Sequence, residues 1–105
     1  MPTYNKLIRD MIPEIIRANK AEPKIHIATS SEFEEKLLEK LQEEVLEFQE
    51  AKSVEELADI LEVIDAIKIL YEWSDSSVQK VKSQKAAARG TFSKKLILEE
   101  VINNG

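Results

Sequence analysis

The chain has 105 residues, a length that suits one domain, and 43% of them are hydrophobic, enough to form a core. A net charge of −5 argues against a nucleic-acid backbone as a partner. The lack of cysteine excludes disulfides and thiolate metal sites. Only two glycines and three prolines interrupt a sequence rich in leucine, isoleucine, glutamate and lysine, which predicts an all-α protein.

Targeting and organisation signals are few. No leading segment resembles a signal peptide, and no apolar run is long enough to span a bilayer. We therefore expect a cytoplasmic protein that has no membrane partner. No internal repeat or low-complexity tract divides the sequence, so residues 1–105 are predicted to form a single domain.

The N-terminal part predicts a short helix followed by a short strand. Residues 4–19 have helical character, and Pro13 places the start of the regular helix near Asp10 or Met11. Asp10 is expected to cap this helix. After a turn, the alternating pattern of Lys24–Ala28 predicts a short strand.

Two capping boxes predict a helical hairpin in the middle of the chain. Residues 31–34 and residues 53–56 both match S-x-x-E, in which side chains satisfy the backbone N–H groups of the first turn. The first predicted helix runs from residue 31 to about residue 51, and the second from residue 53 to about residue 73. Because only two or three residues join them, these helices must be antiparallel neighbours.

The C-terminal part predicts a further helix and a further strand. Residues 74–77 break the helical pattern, and a fourth helix is predicted over Val78–Arg89, with Gly90 directly after its end. Lys95–Glu99 is apolar enough for a second short strand, which could pair with the first. The predicted fold is an all-α helical hairpin or bundle of about four helices with two very short strands.

Acidic residues are concentrated in the predicted hairpin, and most acidic stretches of this kind are solvated helix faces. A helix turns by about 100° per residue, so the face on which each residue lies can be computed. On the first helix of the hairpin, Glu44 flanks the apolar stripe. Glu47 lies beyond Glu44, further around the helix from the centre of that stripe. The residues expected on solvated faces are Glu43, Glu50, Glu55, Glu62 and Asp65.

The second helix of the hairpin is apolar over more than half of its circumference, which predicts a central, largely buried helix and a homodimer or homotetramer. Glu56 and Asp59 fall within this apolar arc, where a carboxylate is costly unless its charge is compensated. In an antiparallel pair of helices, residues at equal distances from the turn lie opposite each other. With a turn near Lys52, Glu47 therefore lies opposite Glu56. Glu44 and Asp59 form a second such pair, one helical turn further from the turn.

Four carboxylates are therefore expected to converge from two helices, with no lysine or arginine placed to neutralise them all. Divalent cations would supply the missing positive charge. Oxygen ligands without histidine or cysteine suit Mg²⁺ or Mn²⁺. The predicted metal ligands are Glu44, Glu47, Glu56 and Asp59.

The same residues carry a resemblance to a known family. The pattern E-E-x-x-E at residues 43–47, followed by E-x-x-D at residues 56–59, resembles the signature of the all-α NTP pyrophosphohydrolases. That superfamily includes MazG, dimeric dUTPases and phosphoribosyl-ATP pyrophosphohydrolase. The segments YNKLIRDMIPEII, residues 4–16, and KAAARGTFSKKLIL, residues 85–98, resemble the opening and closing segments of a small MazG-like branch described as house-cleaning pyrophosphatases.

The resemblance implies hydrolysis of a nucleoside triphosphate between its α and β phosphates, giving a monophosphate and pyrophosphate. It implies Mg²⁺ held by the four carboxylates, with Glu44 and Glu47 as catalytic residues and Glu47 orienting the attacking water. Cations of the two terminal segments would bind the phosphates. They are Lys6, Arg9, Lys85, Arg89 and Lys94. Two positions depart from the family pattern, since Met11 replaces a usual lysine and Thr91 a usual second glycine.

Two alternatives stay open. The enzymatic one is phosphoribosyl-ATP pyrophosphohydrolase of histidine synthesis, which would prefer phosphoribosyl-ATP over other nucleotides. The other is a non-enzymatic helical interaction module whose carboxylates contact a basic partner and bind no metal.

Overall fold

A computed structural model describes residues 5–103 of the chain. Its helices are α1 (Ile12–Ala18), α2 (Ser30–Ala51), α3 (Val54–Leu70) and α4 (Asp75–Arg89). The protein is all-α, as predicted. The chain divides into two compact units, one that ends at Glu72 and one that begins at Trp73, and a single domain stays a prediction. None of the helices within residues 5–103 is both long and apolar enough to cross a membrane.

Both predicted strands are wrong, because residues 5–103 contain no strand. Lys24–Ala28 is an irregular connection between α1 and α2, and Lys95–Glu99 is irregular chain after α4. An alternating apolar pattern forms a strand only when a neighbouring strand satisfies its backbone N–H and C=O groups. Ile27 is 95% exposed, so the alternation in the first stretch does not mark a buried face.

Helix α1 begins close to the predicted start but is capped differently. Pro13 lies in its first turn, where the N–H that proline lacks would have no partner within the helix. The N-cap residue is Met11, and no side chain caps the helix, so the predicted role of Asp10 is wrong. The reason is a turn in which the Ile12 N–H donates to the Arg9 carbonyl at 3.1 Å, which moves the cap position one residue beyond Asp10.

Helices α2 and α3 form the predicted antiparallel hairpin and pack against each other more extensively than any other pair of helices in the described chain. The chain reverses at Lys52, whose backbone is left-handed (φ 50°, ψ 46°) and whose N–H donates to the Phe48 carbonyl at 2.7 Å. Ser53 then caps α3, because its hydroxyl accepts a hydrogen bond from the Glu56 N–H at 3.3 Å. The second predicted capping box therefore begins α3 as expected.

The start of α2 differs from the prediction. The Thr29 hydroxyl, rather than that of Ser31, accepts a hydrogen bond from the Glu32 N–H at 3.3 Å and makes Thr29 the N-cap. Thr29–Glu32 is a second, overlapping match to the capping pattern, and it yields the longer helix. Glu34 instead accepts a hydrogen bond from the Tyr71 hydroxyl at 2.6 Å, which joins the start of α2 to the end of α3.

The core of the hairpin is small. Leu37 and Val63, 1% and 8% exposed, are the buried hydrophobic residues of the described chain. The prediction that α3 is largely buried is wrong for the single chain, since Leu57 and Leu61 are 47% and 55% exposed. One neighbouring helix cannot cover an apolar arc wider than half of the circumference of α3.

The second unit begins at Trp73 and contains α4. The Ser74 hydroxyl caps α4 by accepting a hydrogen bond from the Ser77 N–H at 3.1 Å, so the helix starts three residues before the predicted Val78. The serines that suggested a break are the cap and first turn of this helix. Gly90 follows the last helical residue with φ 84° and donates its N–H to the Ala86 carbonyl, as expected for a glycine at a helix end.

Candidate metal centre

Four carboxylates converge where α2 and α3 face each other. One oxygen atom from each residue of the set lies within 4.8 Å of the others, and the set comprises Glu44, Glu47, Glu56 and Asp59. Two of them lie one turn apart on α2 and two lie one turn apart on α3, so each helix presents a pair on one face. These are the residues that the helical faces predicted, and this carboxylate cluster could hold a metal ion.

The exposure of the acidic residues on α2 and α3 tests which helix face each of them was predicted to occupy. Glu56 is half-buried, whereas Glu55, its neighbour in sequence, is exposed. The other acidic residues that are exposed as predicted are Glu50, Glu62 and Asp65. Glu43 departs from the prediction and is half-buried, because the ammonium groups of Lys6 and Lys40 both lie 3.4 Å from its carboxylate oxygens.

Glu44 is the most buried member of the carboxylate cluster, with 6% of its surface exposed. Its Oε1 lies 3.4 Å from Lys40 Nζ, but its Oε2 is buried without a hydrogen-bond partner. Oε2 of Glu56 is buried in the same way. Buried polar atoms nearly always have a partner, so two such oxygens in one cluster indicate that a positively charged ligand fits there.

The electrostatics of Glu44 reflect this deficit of positive charge. Burial raises the pKa of its carboxyl group above the usual value, and hydrogen bonding and charge repulsion with Glu47 raise that pKa further. Lys40 lowers the pKa of Glu44 without cancelling the increase. A divalent cation among the carboxylates would favour the charged form of Glu44 and would therefore lower its pKa.

Within residues 5–103, two basic side chains contact the carboxylate cluster, and they compensate its charge only in part, in line with the expectation that no lysine or arginine neutralises all four carboxylates. Arg9 Nη2 lies 2.7 Å from Asp59 Oδ1, and Lys40 contacts Glu44. Four carboxylates and two cations leave a formal charge of −2, which one divalent ion would neutralise. Lys40 was not identified from the sequence, although its i, i+4 spacing from Glu44 is a signal that could have found it.

The residues predicted to bind phosphate fall in both units of the chain. Lys6 and Arg9 precede α1 and contact the acidic residues of the hairpin, Lys6 at Glu43 and Arg9 at Asp59. The other three belong to the second unit, where their side chains are exposed: Lys85, Arg89 and Lys94. The structure thus brings Lys6 and Arg9 to the acidic side of the hairpin.

Comparisons with protein-family models, with curated proteins and with solved structures find no match for this chain. The chemistry inferred for the carboxylate cluster therefore rests on its own geometry. Two helices contribute four carboxylates, and two of these carboxylates have a buried oxygen without a hydrogen-bond partner.

Proposed function

We propose that this protein is a Mg²⁺- or Mn²⁺-dependent nucleoside triphosphate pyrophosphohydrolase of the MazG-like type, acting on non-canonical nucleotides in the cytoplasm. The observation that carries the proposal is the carboxylate cluster with its two buried, unpartnered oxygens. Ligands that are all oxygen suit these ions, and enzymes of phosphate chemistry use such ions at the phosphate groups. The motif resemblance at residues 43–47 and 56–59 supports the same reaction.

Each carboxylate has a role in this proposal. All four carboxylates would hold the metal, which would supply positive charge to the phosphate oxygens. Glu47, which is half-buried and adjacent to Glu44, orients a water molecule and accepts its proton. Attack of this water on the α phosphorus breaks the bond to the oxygen that bridges the α and β phosphates. The products are a nucleoside monophosphate and pyrophosphate.

Positive side chains complete the proposed site. Arg9 and Lys6 already lie beside the acidic residues of the hairpin, and a guanidinium can contact two phosphate oxygens at once. For the three cations of the second unit, the motif resemblance alone supports phosphate binding: Lys85, Arg89 and Lys94.

We expect hydrolysis of at least one nucleoside triphosphate with Mg²⁺ or Mn²⁺, and none after the metal is removed with EDTA. The test is a screen of canonical and modified triphosphates in which monophosphate and pyrophosphate are separated by ion-exchange chromatography. Orthophosphate as the first product would contradict cleavage at the α–β bond. A preference for phosphoribosyl-ATP in the same screen would favour the histidine-synthesis enzyme, and a lack of metal binding by calorimetry would favour an interaction module.

We also propose a homodimer or homotetramer, because α3 and its surroundings expose more apolar surface than a single hairpin can cover. Leu46, Val54 and Leu61 are 64%, 80% and 55% exposed. Burial of these side chains against a second copy would recover the hydrophobic free energy that they lack in one chain. Sedimentation equilibrium at micromolar concentration should give at least twice the chain mass of 12.0 kDa, and a clean monomer would contradict the assembly.

A further inference from the structure

Arg9, which lies shortly before α1, places a positive charge at one member of the carboxylate cluster. Arg9 Nη2 lies 2.7 Å from Asp59 Oδ1, although the two residues are 50 positions apart in sequence. Asp59 is also one of the four carboxylates that could hold a metal ion. A guanidinium and a divalent cation are therefore both partners for the same carboxylate.

Arg9 compensates only part of the negative charge. Glu44 is 6% exposed, and its Oε2 is buried without a hydrogen-bond partner, as is Oε2 of Glu56. Neither Arg9 nor Lys40 donates a hydrogen bond to these two oxygens. The carboxylate cluster thus has cationic partners at Asp59 and at Oε1 of Glu44, and still lacks a partner at Oε2 of Glu44 and Oε2 of Glu56.

We propose that Arg9 is an internal counter-ion of the metal centre. While the centre lacks metal, its guanidinium neutralises Asp59 and holds Arg9 against α3. A divalent cation that binds the four carboxylates displaces the guanidinium, which becomes available to a phosphate oxygen of the substrate. This inference rests on the metal centre of the proposed function, but it does not depend on which reaction follows.

The placement of Arg9 suits an exchange of partners. Its side chain is 57% exposed, so the guanidinium can leave Asp59 for water without being desolvated elsewhere. Its backbone stays attached to α1, because its carbonyl accepts the Ile12 N–H. Lys40 differs, since its side chain is only 18% exposed and contacts both Glu43 and Glu44 from the same helix. Lys40 is therefore expected to keep its position.

The test is the affinity for Mn²⁺, measured by calorimetry without nucleotide on the full chain. Arg9→Gln should bind Mn²⁺ about 2–5-fold more tightly than the wild type, which corresponds to the loss of one competing exposed ion pair. Arg17→Gln is the matched control. It makes the same substitution in the same unit at an arginine that pairs with Glu22 at 3.9 Å, and it should leave the affinity within about 1.5-fold.

A second measurement follows Arg9 directly. The Nε–H signal of Arg9 in a ¹⁵N-correlated NMR spectrum, assigned by its loss in Arg9→Gln, should move toward the position of a solvated arginine as Mg²⁺ is added. The corresponding signal of Arg17 should not move. An Arg9 signal that is unchanged at saturating Mg²⁺ would contradict displacement.

The outcomes separate this inference from the proposed reaction. Equal or weaker Mn²⁺ binding by Arg9→Gln would overturn the counter-ion role and leave the pyrophosphohydrolase proposal intact. Tighter binding by a protein that hydrolyses no triphosphate would support the counter-ion role and contradict the proposed reaction. Absence of Mn²⁺ binding in both wild type and Arg9→Gln would overturn the metal centre and both proposals.

Discussion

Replacement of Glu56 by glutamine should reduce triphosphate hydrolysis by about 10²-fold or more, because it removes a charged oxygen ligand from the carboxylate cluster. Asp59→Asn should have an effect of the same size. Glu55→Gln is the matched control, since Glu55 is adjacent in sequence but exposed, about 100° away around α3. Its activity should stay within a few-fold of the wild type and its stability within about 0.5 kcal/mol.

These variants are compared by kcat and KM at saturating Mg²⁺, with thermal melts to show that each is folded. Equal damage from Glu55→Gln and Glu56→Gln would contradict the assignment of the two faces of α3 to the site and to solvent. If Glu55→Gln, Glu56→Gln and Asp59→Asn were all harmless, the carboxylates would be an ordinary acidic surface, and the enzymatic proposal would be wrong.

Glu44→Gln should stabilise the metal-free protein at neutral pH by about 1 kcal/mol, which raises the melting temperature of a domain of this size by about 4–8 °C. Glu44 is buried beside Glu47, and one of its oxygens has no partner. The glutamine amide removes the buried charge and can donate a hydrogen bond to the Glu47 carboxylate. The same substitution removes a metal ligand, so Mn²⁺ should stabilise the variant less than the wild type.

The sign of the pH dependence follows from the raised pKa of Glu44. Its charged form opposes folding at pH values above that raised pKa, and the penalty is absent below the pKa of the unfolded chain, near 4.5. The advantage of Glu44→Gln in EDTA should therefore be complete at pH values above the raised pKa and should disappear as the pH falls toward about 4.5.

Calorimetric melts of the two proteins in EDTA across this range measure the effect. Glu50→Gln, a change at an exposed position of the same helix, should show no such pH-dependent gain. A Glu44→Gln variant that is less stable than the wild type in EDTA at neutral pH would mean that the ion pair of Glu44 with Lys40 outweighs the burial of the charge.

The hairpin and its carboxylate cluster could be predicted because both depend on local rules. Helical periodicity assigns Glu56 to the inner face of α3 and Glu55 to the outer one, and a short turn makes α2 and α3 antiparallel. The cap at Ser53 follows from a pattern of four residues. Such features depend on residues a few positions apart, so the sequence contains the information directly.

Contacts between distant segments could not be predicted in this way. Arg9 and Asp59 are 50 positions apart, and no periodicity relates an irregular N-terminal segment to a helix face. The strand predicted at Lys24–Ala28 failed for a related reason, since pairing depends on a partner elsewhere in the chain. The cap of α2 was a local ambiguity: Thr29 and Ser31 both match the pattern, and which of them caps depends on where the longer helix can begin.

The turn at Lys52 has a consequence for how this hairpin tolerates change over evolution. Glu47 and Glu56, the inner members of the cluster, lie within five positions of that left-handed residue, so their facing arrangement depends on the number of residues between them. The insertion of one residue into α2 or α3 between Lys52 and these ligands would rotate a carboxylate by about 100° around the helix axis. It would also shift that carboxylate by about 1.5 Å along the helix. Substitutions at exposed positions of the same stretch leave that register unchanged. Relatives of this protein should therefore conserve the length of this segment more strictly than its residues.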